Sequence, residues 1–341
     1  MTFDSKKPEL EDYWRGIVLF GRNVASYKFA LAKSLLDLKP ESGRLVKLEE
    51  LAPIYSGHIV KHLIQTDKQC TSSSSKFLDG CRKYNSGTLI KDDLIDLTVR
   101  SGFNNVIDAF HVVGQCEVPA RFYIDERKSH KGIRITDEFS ALLSRDQSEN
   151  LPQEVEARWS LVETAWDLGV SRSLVSIGYD EHNQSLFALD NQRRRKSVTG
   201  SRDALNGYQK GKCFYCFTDI YIKDVSMNEY PDVDHFFPHT LKQHGFSSIV
   251  DGIWNLVLSC KECNRGANGK FANIPTLKLL ERLHKRNEFL ISSNHPLHET
   301  IIQQTGSSEF NRKVFLNNFH QKAWGKLIHT WEAKEKQDPY F

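Results

Sequence analysis

Apolar residues recur three or four positions apart along much of the first half of the chain, and this period sets the first expectations. In GRNVASYKFALAKSLLDL, Val24, Tyr27, Leu31, Leu35 and Leu38 share one face of a helix, which needs a core to bury it. LEELAPIYSGHIVKHLIQ predicts a second helix, broken or kinked near Pro53, whose ring removes a backbone donor. Residues 71–75 read as a loop, and DDLIDLTVR and FNNVIDAFHVVG continue the helical period. The pattern then changes. ARFYIDERKSHKGIRIT reads as two strands joined by a polar turn, EVEARWSLVETAWDLG as a helix, and SLVSIGYDEHNQSLFALD as a hairpin turning at residues 180–185. Further on, residues 275–290 predict a helix. SSEFNRKVFLNNFHQKAWGKLIHTWEA sets Phe315, Phe319, Ala323, Leu327 and Trp331 on a stripe that packs back onto the body, and Trp254 belongs in the core. The fold class is therefore α+β, with a helical N-terminal domain that carries β-hairpins and with helices at the C-terminal end.

Composition narrows this only a little. At 341 residues the chain has room for two domains, and its 39% apolar and 26% charged residues are ordinary for a folded protein with a real core. No run reaches the ~18 uninterrupted apolar residues of a membrane span. MTFDSKKPELEDYW carries acids where a signal peptide has its apolar stretch, so a cytoplasmic location is expected. A net charge of +3 means that any affinity for nucleic acid must come from a local basic surface.

Such a surface is offered at residue 191, where the composition shifts. NQRRRKSVTGSRDALNGYQKGKC carries Arg193, Arg194, Arg195 and Lys196, then Arg202, Lys210 and Lys212, against one acid, Asp203. This suits a phosphate backbone; the plainer alternative is a solvated basic turn before a helix. We expect a boundary here, with residues 1–195 serving recognition or partner docking, a chemical domain at 196–295, and a helical tail at 296–341.

Of seven cysteines, Cys70, Cys81 and Cys116 are scattered and read as buried thiols. The other four form two CxxC pairs, Cys213 with Cys216 and Cys260 with Cys263. At that spacing two thiolates on one tight turn reach the same tetrahedral ion, so a closed structural zinc site is expected. The stretch between the pairs is far longer than the ~15–20 residues of a zinc ribbon. A zinc joining both pairs would fix the ends of that insertion, which matters if residues from both ends meet at one site.

Candidates for chemistry stand beside each pair. DVDHFFP places Asp232, Asp234 and His235 after the first; Asn255, Asn264 and Arg265 surround the second. The Asp234 carboxylate and the Asn264 amide oxygen are hard donors suited to Mg²⁺ or Mn²⁺. In a strand His235 faces away from Asp234, which separates a base from a metal ligand, and its imidazole can take a proton from water near neutral pH. Asp232 stays open between a partner of this cluster and a surface acid. His239 and His244 are read as structural or exposed.

DVDHFFP followed by WNLVLSCKECNRGANGK resembles the HNH nucleases of the ββα-metal group, in particular the zinc-bearing members with paired CxxC knuckles. The resemblance covers roughly residues 205–275 and is of the variant with Asn264 in place of the family's last histidine. It implies a zinc-stabilised ββα-metal domain and a metal-dependent endonuclease, with a role in bacterial defence or restriction. His235 would be the general base, and Asp234 and Asn264 would hold the catalytic metal. Asn255 would tie the hairpin loop and help orient His235, while Arg265 and Lys270 would face phosphates. DNA is the implied partner, with RNA kept as an alternative, and residues 1–195 could dock a protein. Two other readings remain: a non-catalytic zinc module that binds nucleic acid, and an effector subunit of a larger CRISPR-like or defence complex.

Overall fold

The computed structural model describes residues 8–20, 25–72, 75–167, 177–180, 185–189, 195–222, 230–246, 248–292, 297–339 and 341. Helices and small sheets alternate, and the chain divides into two compact units between Trp159 and Ser160, earlier than the composition shift near residue 191 suggested. The reason is local continuity: the strands that follow residue 176 run straight into the helix ahead of the first cysteine pair.

In the first unit, α1 (Leu10–Phe20), α2 (Tyr27–Leu38), β1 (Leu45–Lys47) and α3 (Leu48–Gln65) come first. They are followed by α4 (Lys76–Asn85), α5 (Lys91–Leu97), a π turn at Thr98–Gly102, and a single turn, α6 (Val106–Ala109). The apolar face of α2 is buried through Leu31 and Leu35, as its period requires. The break expected in α3 does not occur; the helix runs through Pro53, since the carbonyl of Glu49 that loses its donor is on an exposed residue where water can reach it. The helix read over FNNVIDAFHVVG shrinks to α6. Asn105 is left-handed at φ 65°, and the two valines pair as β2 (Val112–Val113) with β3 (Cys116–Glu117) around Gly114, also left-handed. Cys116 is exposed there, unlike buried Cys70 and Cys81.

The two strands read in ARFYIDERKSHKGIRIT form β4 (Tyr123–Glu126) and β5 (Gly132–Ile135), joined by the short α7 (Arg127–His130). With β1 they make an antiparallel sheet in the order β1-β5-β4. Gly132 is required at the start of its central strand, because a Cβ there would meet the Val46 carbonyl at 2.4 Å. After α8 (Asp137–Leu143), α9 (Leu151–Asp167) begins, and its Glu154 closes a buried two-pronged pair with Arg15 at 2.8 and 3.0 Å. The core is aromatic: Trp14 packs edge-on against Phe110 and Phe122, and Trp159 stacks on Phe29 and, at 3.5 Å, on His62.

The second unit opens with an antiparallel sheet of β6 (Ile177–Asp180), β7 (Ser185–Leu189) and β8 (Arg195–Gly200). Then come α10 (Ser201–Gln209), β9 (Asp232–His235), β10 (Leu256–Ser259), the five-residue α11 (Lys261–Arg265) and β11 (Ile274–Pro275). Helices α12 (Leu277–Ser292), α13 (Leu297–Thr305) and α14 (Glu309–Leu327) cover them, and β12 (Thr330–Trp331) pairs in parallel with β11. The stripe of α14 is seated through Phe319 and Ala323 but does not include Trp331, because the helix ends at Leu327 and Ile328 turns left-handed at φ 50°. Phe237, Trp254 and Phe319 lie together in this core, with half-buried Phe315 packed against Trp254. Among the described residues, no helix is long and apolar enough to cross a membrane.

Candidate active site and metal centre

The two CxxC turns converge. All four Sγ atoms of Cys213, Cys216, Cys260 and Cys263 lie within 4.8 Å of one another, and the Cys216 and Cys260 sulfurs are 3.8 Å apart. A tetrahedron with Zn–S bonds of about 2.3 Å has edges of about 3.8 Å, so four sulfur donors at this spacing fit a closed structural zinc site. Without a cation the four cannot all ionise: burial raises the Cys213 thiol, and hydrogen bonding to the Cys213 sulfur holds Cys216 and Cys260 low while pushing Cys263 up.

Three polar side chains from helices fix the knuckles. Gln209, at the end of α10, inserts between the first knuckle and β10: its amide donates to the Lys212 and Leu258 carbonyls, and its oxygen accepts from the Leu258 N–H. Arg282 on α12 donates to the Phe214 and Tyr215 carbonyls within the first CxxC turn and lies 4.1 Å from the Phe217 ring centroid. One turn on, buried Arg286 donates to the Trp254 and Leu256 carbonyls at 3.0 and 2.8 Å; burial lowers its pKa to about 10. These residues escaped the sequence reading. Their signal was present in α12, where Arg282 and Arg286 interrupt an otherwise apolar face of Leu279, Leu283 and Leu290.

Strands β9 and β10 are antiparallel, with His235 opposite Leu256 and Asp232 opposite Ser259, and α11 follows directly after Cys260. Asn255 holds the connection closed: its oxygen accepts from the Phe237 N–H, and its amide donates to the Phe237 and Val250 carbonyls. Alternation along β9 puts Asp232 and Asp234 on one face and His235 on the other.

Asp234 is buried and has two partners. Tyr215, inside the first CxxC turn, donates its hydroxyl at 2.6 Å, and Lys270 Nζ lies 3.2 Å from the other oxygen. Burial raises the pKa of this carboxyl, with Lys270 and Tyr215 working in the opposite direction. Lys270 does not face phosphates. It is fully buried, and its ammonium also donates to the His235 and Phe271 carbonyls, because the turn after α11 folds back beneath β9.

Asn264 is brought to β9, though its amide nitrogen donates to Asp232, at 3.0 Å, rather than to Asp234. Arg265 grips the same Asp232 through two contacts of 3.0 and 3.2 Å, yet its side chain stays 60% exposed. Asp232 is thus part of the cluster. On the opposite face, His235 Nε2 is buried with the Asp251 carboxylate 3.4 Å away, and that carboxylate is held by Lys242 at 2.7 Å. Burial pushes Asp251 up, but His235 and Lys242 together keep its pKa below the ordinary value. Asp251 had no sequence signal, since only the β9–β10 pairing brings it to the imidazole.

The basic segment is less informative. Arg193 and Arg194 lie outside the described residues, while Arg195 and Lys196 open β8 opposite Leu189 and Ala188, so from there the segment is strand rather than turn. Compared with known proteins, the chain matches no family model, no curated protein and no solved structure.

Proposed function

We propose that the chain is an HNH-type endonuclease that hydrolyses phosphodiester bonds in DNA, with a metal-dependent site between β9 and α11. The observation that carries this reading is the meeting of Asp232, Asp234 and His235 on one strand with Asn264 on the helix that follows its partner strand, both ends tied by one cluster of four cysteines. A binding module would have no need of that convergence.

Asp232 and Asp234 share a face, and Asn264, bonded through its nitrogen, keeps its amide oxygen for a hard cation; Asp234, whose oxygens Tyr215 and Lys270 occupy, would exchange one of these partners for it. Held by Asp234 and Asn264, Mg²⁺ or Mn²⁺ would supply Lewis-acid stabilisation of charge on the phosphate oxygens. His235 would remove the proton of the attacking water. Its Nε2 faces the Asp251 carboxylate across 3.4 Å, which would orient the imidazole. In-line attack would leave 5′-phosphate and 3′-hydroxyl ends. Exposed Arg265 would meet a phosphate, and Asn255 would keep the strand connection rigid behind His235.

The test is incubation of the full chain with plasmid, linear duplex, single-stranded DNA and RNA, each with Mg²⁺, Mn²⁺ or EDTA. Cleavage that EDTA stops is expected. His235→Ala should cut the rate by about 10²–10⁴ while zinc content and folding persist. Asn264→Ala should lose activity that higher Mn²⁺ partly restores. A His235→Ala protein cutting at the full rate would refute the reading and return the chain to a zinc-stabilised binding module.

A further inference from the structure

A groove of about 530 Å³ runs between α14 and the segment His239–Ile249 of the same unit. Its floor is apolar, formed by Phe246, Ile249 and Phe319, with Phe246 and Phe319 edge to face at 5.0 Å. Its rim is basic: Lys322 and Lys326, one helical turn apart, stand on one wall, with the His244 side chain on the other. Among the described residues no acidic side chain lines it. In α14 the only acid is Glu309, in the first turn, and the HTLKQH turn has none. Like charges four apart on a helix repel, and among the described residues neither lysine has a carboxylate partner, so both ammonium groups are left for an anion. Gly325 lies between them, where a Cβ would meet nothing within 4 Å, so a ligand can approach the helix backbone.

The turn that supplies His244 to the groove also touches the surroundings of the candidate base. Lys242, two residues before His244, holds the Asp251 carboxylate that borders His235 Nε2. Regularly spaced cations above an aromatic floor match a nucleic-acid strand, whose phosphates repeat and whose bases have a flat apolar face. The volume falls in the ordinary range of ligand sites, roughly 300–1,000 Å³. We propose that this groove carries the strand that flanks the scissile phosphate, with phosphates on Lys322 and Lys326 and an unpaired base on Phe246. The inference rests on the nuclease reading for its scissile phosphate, and on its own geometry for the strand.

Binding can be measured by fluorescence anisotropy in the cleavage-silent His235→Ala chain, using labelled 20-nucleotide single-stranded DNA, the same RNA, duplex DNA and polyglutamate over a salt series. Adding Lys322→Gln and Lys326→Gln should weaken single-strand binding and flatten the log–log salt slope by about 1.4, near 0.7 for each phosphate that is no longer neutralised. Adding Phe246→Ala instead should weaken it about 5- to 150-fold at an unchanged slope. Unaltered affinity and slope in the lysine variant would overturn the proposal, as would a parent that binds no nucleic acid or prefers polyglutamate. Duplex bound as tightly as single strand, with Phe246→Ala silent, would remove the unpaired base and overturn it too. The two readings fail separately: binding lost with the lysines in a wild-type chain that cuts nothing leaves the groove and removes the nuclease, whereas cleavage with unaltered lysine-variant binding does the reverse.

Discussion

Lys270 is the fixed charge at the centre of the candidate site. Enclosed on all sides, its ammonium joins Asp234 to the backbone of His235, so it sets the position of both residues at once. Lys270→Met would leave a buried carboxylate without its counter-charge and two carbonyls without a donor. The expected loss is about 3–5 kcal/mol in urea unfolding of the second unit; a surface phosphate contact would instead leave stability untouched. At the residue scale the sequence was legible where neighbours decide the role, as in the paired cysteines and the Asp234–His235 alternation. It was not legible where register decides, as for Asp251, or where burial does, as for Lys270, which reads like any surface cation in NRGANGK. His111 shows burial acting on another imidazole. Its Nε2 accepts the Phe122 N–H at 3.0 Å, and burial, aided by Arg121 and Lys28, lowers its pKa to about 4. The unfolded chain, near 6.5, therefore binds a proton that the fold refuses: stability is full above pH 6.5 and falls by about 3 kcal/mol on the way to pH 4. His111→Gln should flatten that loss when urea midpoints are compared at pH 7.5, 5.5 and 4.5.

At the scale of elements, a long helical period is legible because a buried face must repeat: α2 and α9 follow their stripes, and α12 keeps its own even with Arg282 and Arg286 set into it. Errors arose where a short stretch fits two periods. FNNVIDAFHVVG has helical spacing, but a left-handed Asn105 and a β-branched pair ahead of Gly114 favour one turn and a hairpin. Trp331 continues the period of α14 past the point where its backbone has already turned, and serves instead in β12, its indole donating to the Asn268 carbonyl at 2.8 Å. The knuckles depend on elements too. Replacing any of Cys213, Cys216, Cys260 or Cys263 by Ser should drop the zinc content from about one per chain to near zero, as elemental analysis would read, and loosen β9 against β10.

For the whole molecule, the division at Trp159 assigns the cysteine cluster to one unit alone among the described residues. Strong chelation should therefore speed amide exchange across residues 160–341 while residues 8–159 keep their protection, a contrast that hydrogen-exchange mass spectrometry resolves peptide by peptide. Uniform acceleration would mean that the units do not hold their stability separately. The segment after β12 closes the first knuckle, and this adds a matter of timing. Lys212 donates to Gln337 across 125 positions of sequence, and the Lys336 N–H donates to the Cys216 carbonyl. At about 5–20 residues per second, a ribosome takes roughly 6–25 s to add that span. For much of that interval the first cysteine pair would be clear of the ribosome ahead of its clasp, so its thiols would stand open to oxidation and to the wrong metal until the last residues arrive.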